Sequence, residues 1–178
     1  MQRSVLIKAH LWVAAFFAPA LVLAAVSGGL YLLGYKGATE QTPIATLNGV
    51  TLDVASSRLK ADVVALLNQQ GLDPDFEYVK VSGRNLFTRP TSTPHYQLTL
   101  SANAVDIFFI EPDLQKSLIE LHKGHGPLLF KTYQQILALA LLLVVCSGTW
   151  LGISSGTLRR STLTLTGAGF AVLLALVI

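Results

Sequence analysis

The sequence predicts an α+β protein in which three transmembrane helices carry one small extracytoplasmic domain, a helix laid on an antiparallel sheet. Three observations lead there. Hydrophobic residues make up 52% of the chain and charged residues only 13%, against roughly a quarter charged in soluble domains. Three long runs lack charge altogether. Between the first two runs, residues 36–131 hold all ten acidic residues of the chain, and their apolar spacing changes there from helical to alternating.

The first uncharged run, Ala9 to Tyr35, is rich in Ala, Leu, Val, Phe and Gly. About twenty such residues cross the hydrocarbon core of a bilayer. Pro19 sits in its middle and is expected to kink it, because proline removes a helical donor. Ala25-Val26-Ser27 has small residues at the spacing of a signal-peptide cleavage site. The apolar stretch nevertheless continues to Leu33, longer than a secretory h-region, so a retained span is expected. The second run extends from Thr132 to Leu158 and the third from Ser161 to Ile178. The third rises only about 27 Å as a helix, barely a span.

Outside residues 36–131 the charges are Arg3, Lys8, Arg159 and Arg160, all basic. The positive-inside rule therefore places the N-terminus and the Arg159–Arg160 link in the cytoplasm of an inner-membrane, multi-pass protein. Residues 36–131 are then periplasmic. The expected organisation is a cytoplasmic N-terminus with the first span (1–35), the periplasmic domain (36–126), the second span with its cytoplasmic turn (127–158) and the third span (159–178).

Within the domain, residues 36–48 read as a linker. Asp53 is placed to cap a helix running to about Gln70, with Leu59, Val63, Leu66 and Leu67 on one stripe and Gly71 as the stop. Glu77–Ser82 alternates and ends in a Ser82-Gly83 turn, with Asn85–Arg89 as a short return strand. Tyr96, Leu98 and Leu100 mark a half-buried strand, and Val105–Ile110 a central one. Pro112–Lys123 reads as a short helix with Leu114, Leu118 and Leu121 on one face.

Composition excludes several functions. No Lys/Arg cluster is large enough for nucleic acid. Cys146 is the single cysteine, so no intrachain disulfide or cysteine zinc site forms. Neither a phosphate loop nor a nucleophile–base set is present, and the domain's carboxylates read as a solvated surface. The central parts of the spans carry no charge, which disfavours a transporter.

Two local patterns resemble a known family. Ala9-His10-Leu11-Trp12 opens the first run and Ser27-Gly28 lies near its far end. Leu121-His122-Lys123-Gly124-His125-Gly126 precedes the second run, which carries Ser147-Gly148-Thr149-Trp150 towards its end. These residues, with the order helix, strands, then Leu-His at a membrane helix, resemble PepSY-domain and PepSY-associated transmembrane proteins from about Arg3 to Ile153. The resemblance implies a small α/β envelope module with a binding, inhibitory or regulatory role. Larger relatives, similar to siderophore reductases, use membrane histidines to hold haem b. Those have four or more spans and more histidines than the four found here.

Haem b is therefore a candidate cofactor, with His10, His122 and His125 as candidate ligands. His10 lies near the cytoplasmic end of the first span, where an interfacial imidazole is the equal alternative. His122 and His125 share a helical face if the helix continues through Gly124; otherwise they form a loop at the lipid headgroups, which Gly124 and Gly126 favour. His95, after Pro94, is expected to be solvated. On the expected topology a core of roughly 30 Å separates His10 from the other pair, so one chain would not close a bis-histidine site. The expected partners are the lipid bilayer and a second copy or another membrane or periplasmic protein, met through small-residue faces such as Gly28-Gly29 and Gly152, for which packing of the three helices within the chain is the equal alternative. The expected function is that of a noncatalytic binding, regulatory or accessory subunit. The alternative is an electron-transfer component for iron or siderophore reduction.

Overall fold

The computed structural model describes residues 3–178. In chain order the elements are α1 (Arg3–Leu32), β1 (Thr39–Asn48), α2 (Leu59–Gln69), β2 (Tyr78–Ser82), β3 (Asn85–Arg89), β4 (His95–Leu100), β5 (Ala104–Pro112), α3 (Leu114–His122), α4 (Leu128–Ile153) and α5 (Arg159–Val177). Two compact units divide the chain. One is Leu23–Gln134; the other joins the segment ending at Val22 to Gln135–Ile178.

Helices α1, α4 and α5 are long and apolar enough to cross a membrane, and three such helices fit a multi-pass membrane protein. Their side chains are largely uncovered, including Trp12, Phe16, Leu142 and Trp150, as expected where lipid rather than protein solvates a helix. Pro19 lies inside α1 without ending it.

The Leu23–Gln134 unit is built on a five-stranded antiparallel sheet in the order β1-β5-β4-β3-β2. Gly83, at φ 59°, turns β2 into β3, a conformation that glycine adopts without a Cβ penalty. The ladder between β3 and β4 runs from Asn85↔Thr99 to Phe87↔Gln97. Beyond it the Thr88 hydroxyl takes over, accepting from the Tyr96 amide at 2.8 Å and donating to the Tyr96 carbonyl at 3.3 Å. The strands then part around residues 90–94.

Side chains alternate across a strand, so the sheet has two distinct faces. Leu86, Leu98, Val105 and Ile107 point to one face and meet Leu59, Val63, Leu66 and Leu67 of α2, with Phe76 closing the cluster. Burying each such aliphatic side chain stabilises the fold by about 1.5–3 kcal/mol. The opposite face carries Phe87, Arg89, His95, Gln97 and Ile110.

Three local expectations are corrected. Residues 36–48 are not a linker: β1 pairs with β5 from Thr39↔Pro112 to Asn48↔Ala104, with an irregularity between Pro43 and Ala45. Proline is tolerated there because β1 is an edge strand. Asp53 does not cap α2. Its carboxylate accepts from the Ala55 amide at 2.9 Å in a local turn, and α2 starts later, after Arg58, with no side-chain cap. In α3 the buried positions are Ile119 and Glu120, whereas Leu114 is exposed.

The ends of this unit are tied together by backbone-directed bonds. Asp113 caps α3 by accepting from the Lys116 amide at 2.6 Å, and its other oxygen accepts from Ala38 N–H at 2.8 Å. Gly37, at φ 68°, lets the chain pass so close to α3 that a Cβ there would collide with the Lys116 backbone. The Glu77 carboxylate receives the Leu128 amide at 2.9 Å and 3.0 Å, a favourable anion at the first turn of α4.

Candidate functional site

Two imidazoles sit in matching local seats, one in each unit. In the unit containing Gln135–Ile178, His10 Nδ1 lies 2.8 Å from Ser147 Oγ. The Ser147 hydroxyl donates back to the Leu143 carbonyl of its own helix, and its remaining lone pairs are available to an Nδ1–H. Gly148 leaves room for the ring: a Cβ there would stand 3.3 Å from the His10 ring carbon Cε1. An apolar groove of about 170 Å³, lined by Leu6, Ala9, Val13, Leu143 and Val144, adjoins the imidazole.

In the other unit, His122 Nδ1 lies 3.5 Å from Ser27 Oγ, which itself donates to the Ala24 carbonyl at 3.2 Å. Gly28 makes the room here, again 3.3 Å from Cε1 if it carried a Cβ. The adjoining apolar cavity is about 350 Å³, bordered by Tyr31, Leu32 and Ile119. In both seats the serine stands at Nδ1, which leaves Nε2 on the other side of the ring. Neither Nε2 has a hydrogen-bond partner among the described residues.

His125 does not share a seat with His122. Helix α3 stops at His122 and Gly124 turns the chain at φ 75°, so the helix does not continue to His125 and the loop that Gly124 and Gly126 favoured forms instead. His125 faces Glu120 instead, with Nδ1 2.6 Å from Oε2. Among the described residues no group of three or more His, Cys, Asp or Glu is placed to hold a metal ion.

Glu120 is the centre of a second candidate site, on the polar face of the sheet. It is only 6% exposed, which overturns its expected place on a solvated surface. Lys116 and Lys123, one turn away on either side, reach Oε1 at 3.2 Å and 3.1 Å. Thr91 donates to Oε2 at 3.0 Å and accepts from Arg89 Nη1 at 2.6 Å. The Thr91 amide donates to the His125 carbonyl at 3.1 Å, holding the 90–94 loop against the end of α3. Burial pushes the Glu120 carboxyl up, but donors from His125, Lys123, Lys116 and Thr91 outweigh it and bring it down to about 2.

A cavity of about 310 Å³ opens beside this network, bordered by Arg89, Lys116, Lys123 and His125 with Phe87, Gln97 and Ile110. His95 also borders it and is buried rather than solvated, its Nδ1 2.8 Å from the Thr93 carbonyl. Burial holds its imidazole below the usual histidine range.

The sequence patterns had singled out His10, His122 and His125, and Ser27-Gly28 and Ser147-Gly148 beside them. Glu120, Arg89 and Thr91 carried one weak signal: Glu120 has lysines at i−4 and i+3, which reads equally as a solvated helix face. Comparison with protein-family models, curated proteins and solved structures returns no match.

Proposed function

We propose that the chain is a noncatalytic accessory or binding subunit of an envelope or membrane complex, a PepSY-like inner-membrane protein with residues 36–131 in the periplasm. One observation carries this reading. Each histidine seat presents a single oriented imidazole with a free Nε2, a half-site that a second copy or another subunit would complete. Native electrophoresis of gently solubilised membranes tests it: the chain should migrate in an assembly larger than a monomer. Migration as a monomer in mild detergent at native expression level would sink the reading. Orientation is tested separately, with Ala102→Cys and Thr157→Cys variants, both at exposed positions, and a membrane-impermeant thiol reagent on spheroplasts. Labelling at 102 but not at 157 is expected; the reverse pattern overturns the topology.

The same observation favours a second reading, a haem b electron-transfer component for iron or siderophore reduction. His10 and His122, each an imidazole beside an apolar groove, would be the residues to hold a b-type haem. His125 is committed to Glu120 and does not fit. Bound there, haem would supply one-electron transfer; the chain's own part is to orient each imidazole through serine and to make room through glycine. Reduced-minus-oxidised spectra of the purified assembly decide. A b-type signal lost in His10→Ala and His122→Ala supports this reading, and a signal unchanged in both variants removes these residues from it.

A further inference from the structure

The Glu120 network reaches beyond what an accessory subunit needs to fold. Three permanent cations, Arg89, Lys116 and Lys123, meet one carboxylate at the edge of a cavity. Two positive charges are thus left over. Glu120 accepts from Lys116, Lys123, Thr91 and His125, so its oxygens are occupied and it acts as an internal spacer that holds the cations in place. Arg89 is 9% exposed, and its Nε is buried without any hydrogen-bond partner. An orphaned guanidinium donor in a buried setting is costly to leave unmade, and arginine's fork matches a carboxylate. The remaining border is mixed: Phe87 and Ile110 supply apolar surface.

We infer that this cavity binds a small organic carboxylate, its oxygens taken by Arg89 with Lys116 and Lys123 and its short apolar stem laid against Phe87 and Ile110. The size agrees, since about 310 Å³ lies at the lower end of small-molecule sites. This site is distinct from the histidine seats and does not depend on whether they are completed by a partner.

Calorimetry on the full-length protein in detergent tests it, with succinate as the probe and succinamide and inorganic phosphate as comparators at fixed ionic strength. Saturable succinate binding is expected, with none for succinamide. The Lys116→Gln/Lys123→Gln double variant should bind at least about tenfold more weakly, and its circular dichroism melt reports whether it is folded. Arg89→Lys keeps the charge but loses the fork, and should weaken succinate by a similar factor. No saturable heat up to about 10 mM overturns the inference. So does phosphate binding as tightly as succinate, or undiminished affinity in both folded variants. Failure here, with the large membrane assembly intact, leaves the accessory reading standing; a monomer that still binds succinate does the converse.

Discussion

The two faces of the sheet were assembled from the same strands yet solve different problems. Towards α2, Leu86, Leu98, Val105 and Ile107 close a dry core. Towards α3, Arg89, His95 and Glu120 are also buried, though less completely, and polar, and a cavity remains. An apolar face is satisfied by any close-packed partner. A polar face is satisfied only by specific donors and acceptors, and Arg89 Nε on that side is buried with none.

The contrast can be broken on either side. The largest effect is expected from Leu67→Ala, because Leu67 is fully buried on the sheet-facing side of α2: a loss of about 2–5 kcal/mol in the unfolding of the full-length protein. A loss well under 1 kcal/mol would mean that α2 does not close the core.

Next comes acid. The folded Glu120 carboxyl titrates at about 2 against an ordinary value of 4.5. Its contribution is therefore fully present above pH 4.5 and is lost as the pH falls towards 2, in total about 3 kcal/mol. Glu120→Gln should flatten that segment of the stability profile. An unchanged acid limb in the variant would show that the network does not hold Glu120 ionised.

His95 gives a smaller effect in a different window. Its imidazole titrates below its ordinary value of 6.5 because burial disfavours the cation. Stability from the neutral ring is present above 6.5 and lost as the pH drops through the lowered value. Replacing it by glutamine should reduce the slope just below neutrality, and an equal slope in both proteins would refute a buried neutral ring. Smallest is Lys123→Gln, whose side chain is 46% exposed: less than about 1 kcal/mol in stability. A larger loss would make Lys123 a structural residue and not a spare ligand for the cavity.

How much was legible in the sequence follows this same division. The stripe Leu59, Val63, Leu66, Leu67 and the strand Asn85–Arg89 were readable because periodicity reports a face that meets one apolar surface. β1 was hidden, since most of its residues are exposed and an edge strand with Pro43 has no alternation to read. Glu120 was hidden for another reason. Its charge pattern looks the same whether the lysines face water or a cavity, and only the 90–94 loop folding back onto His125 removes the water.

By itself, the sequence determined the three apolar helices and the mixed α+β domain between the first two, because hydrophobic content and spacing are local properties of the chain. It also singled out His10, His122, Ser27-Gly28 and Ser147-Gly148, without saying which serine meets which histidine. Tertiary structure alone decided that Ser147 faces His10 and Ser27 faces His122, residues more than ninety positions apart in each case. It decided too that His125 parts from His122 and joins Glu120. Hydrogen-bond partners and desolvation depend on what the folded chain brings near, and no local pattern encodes that.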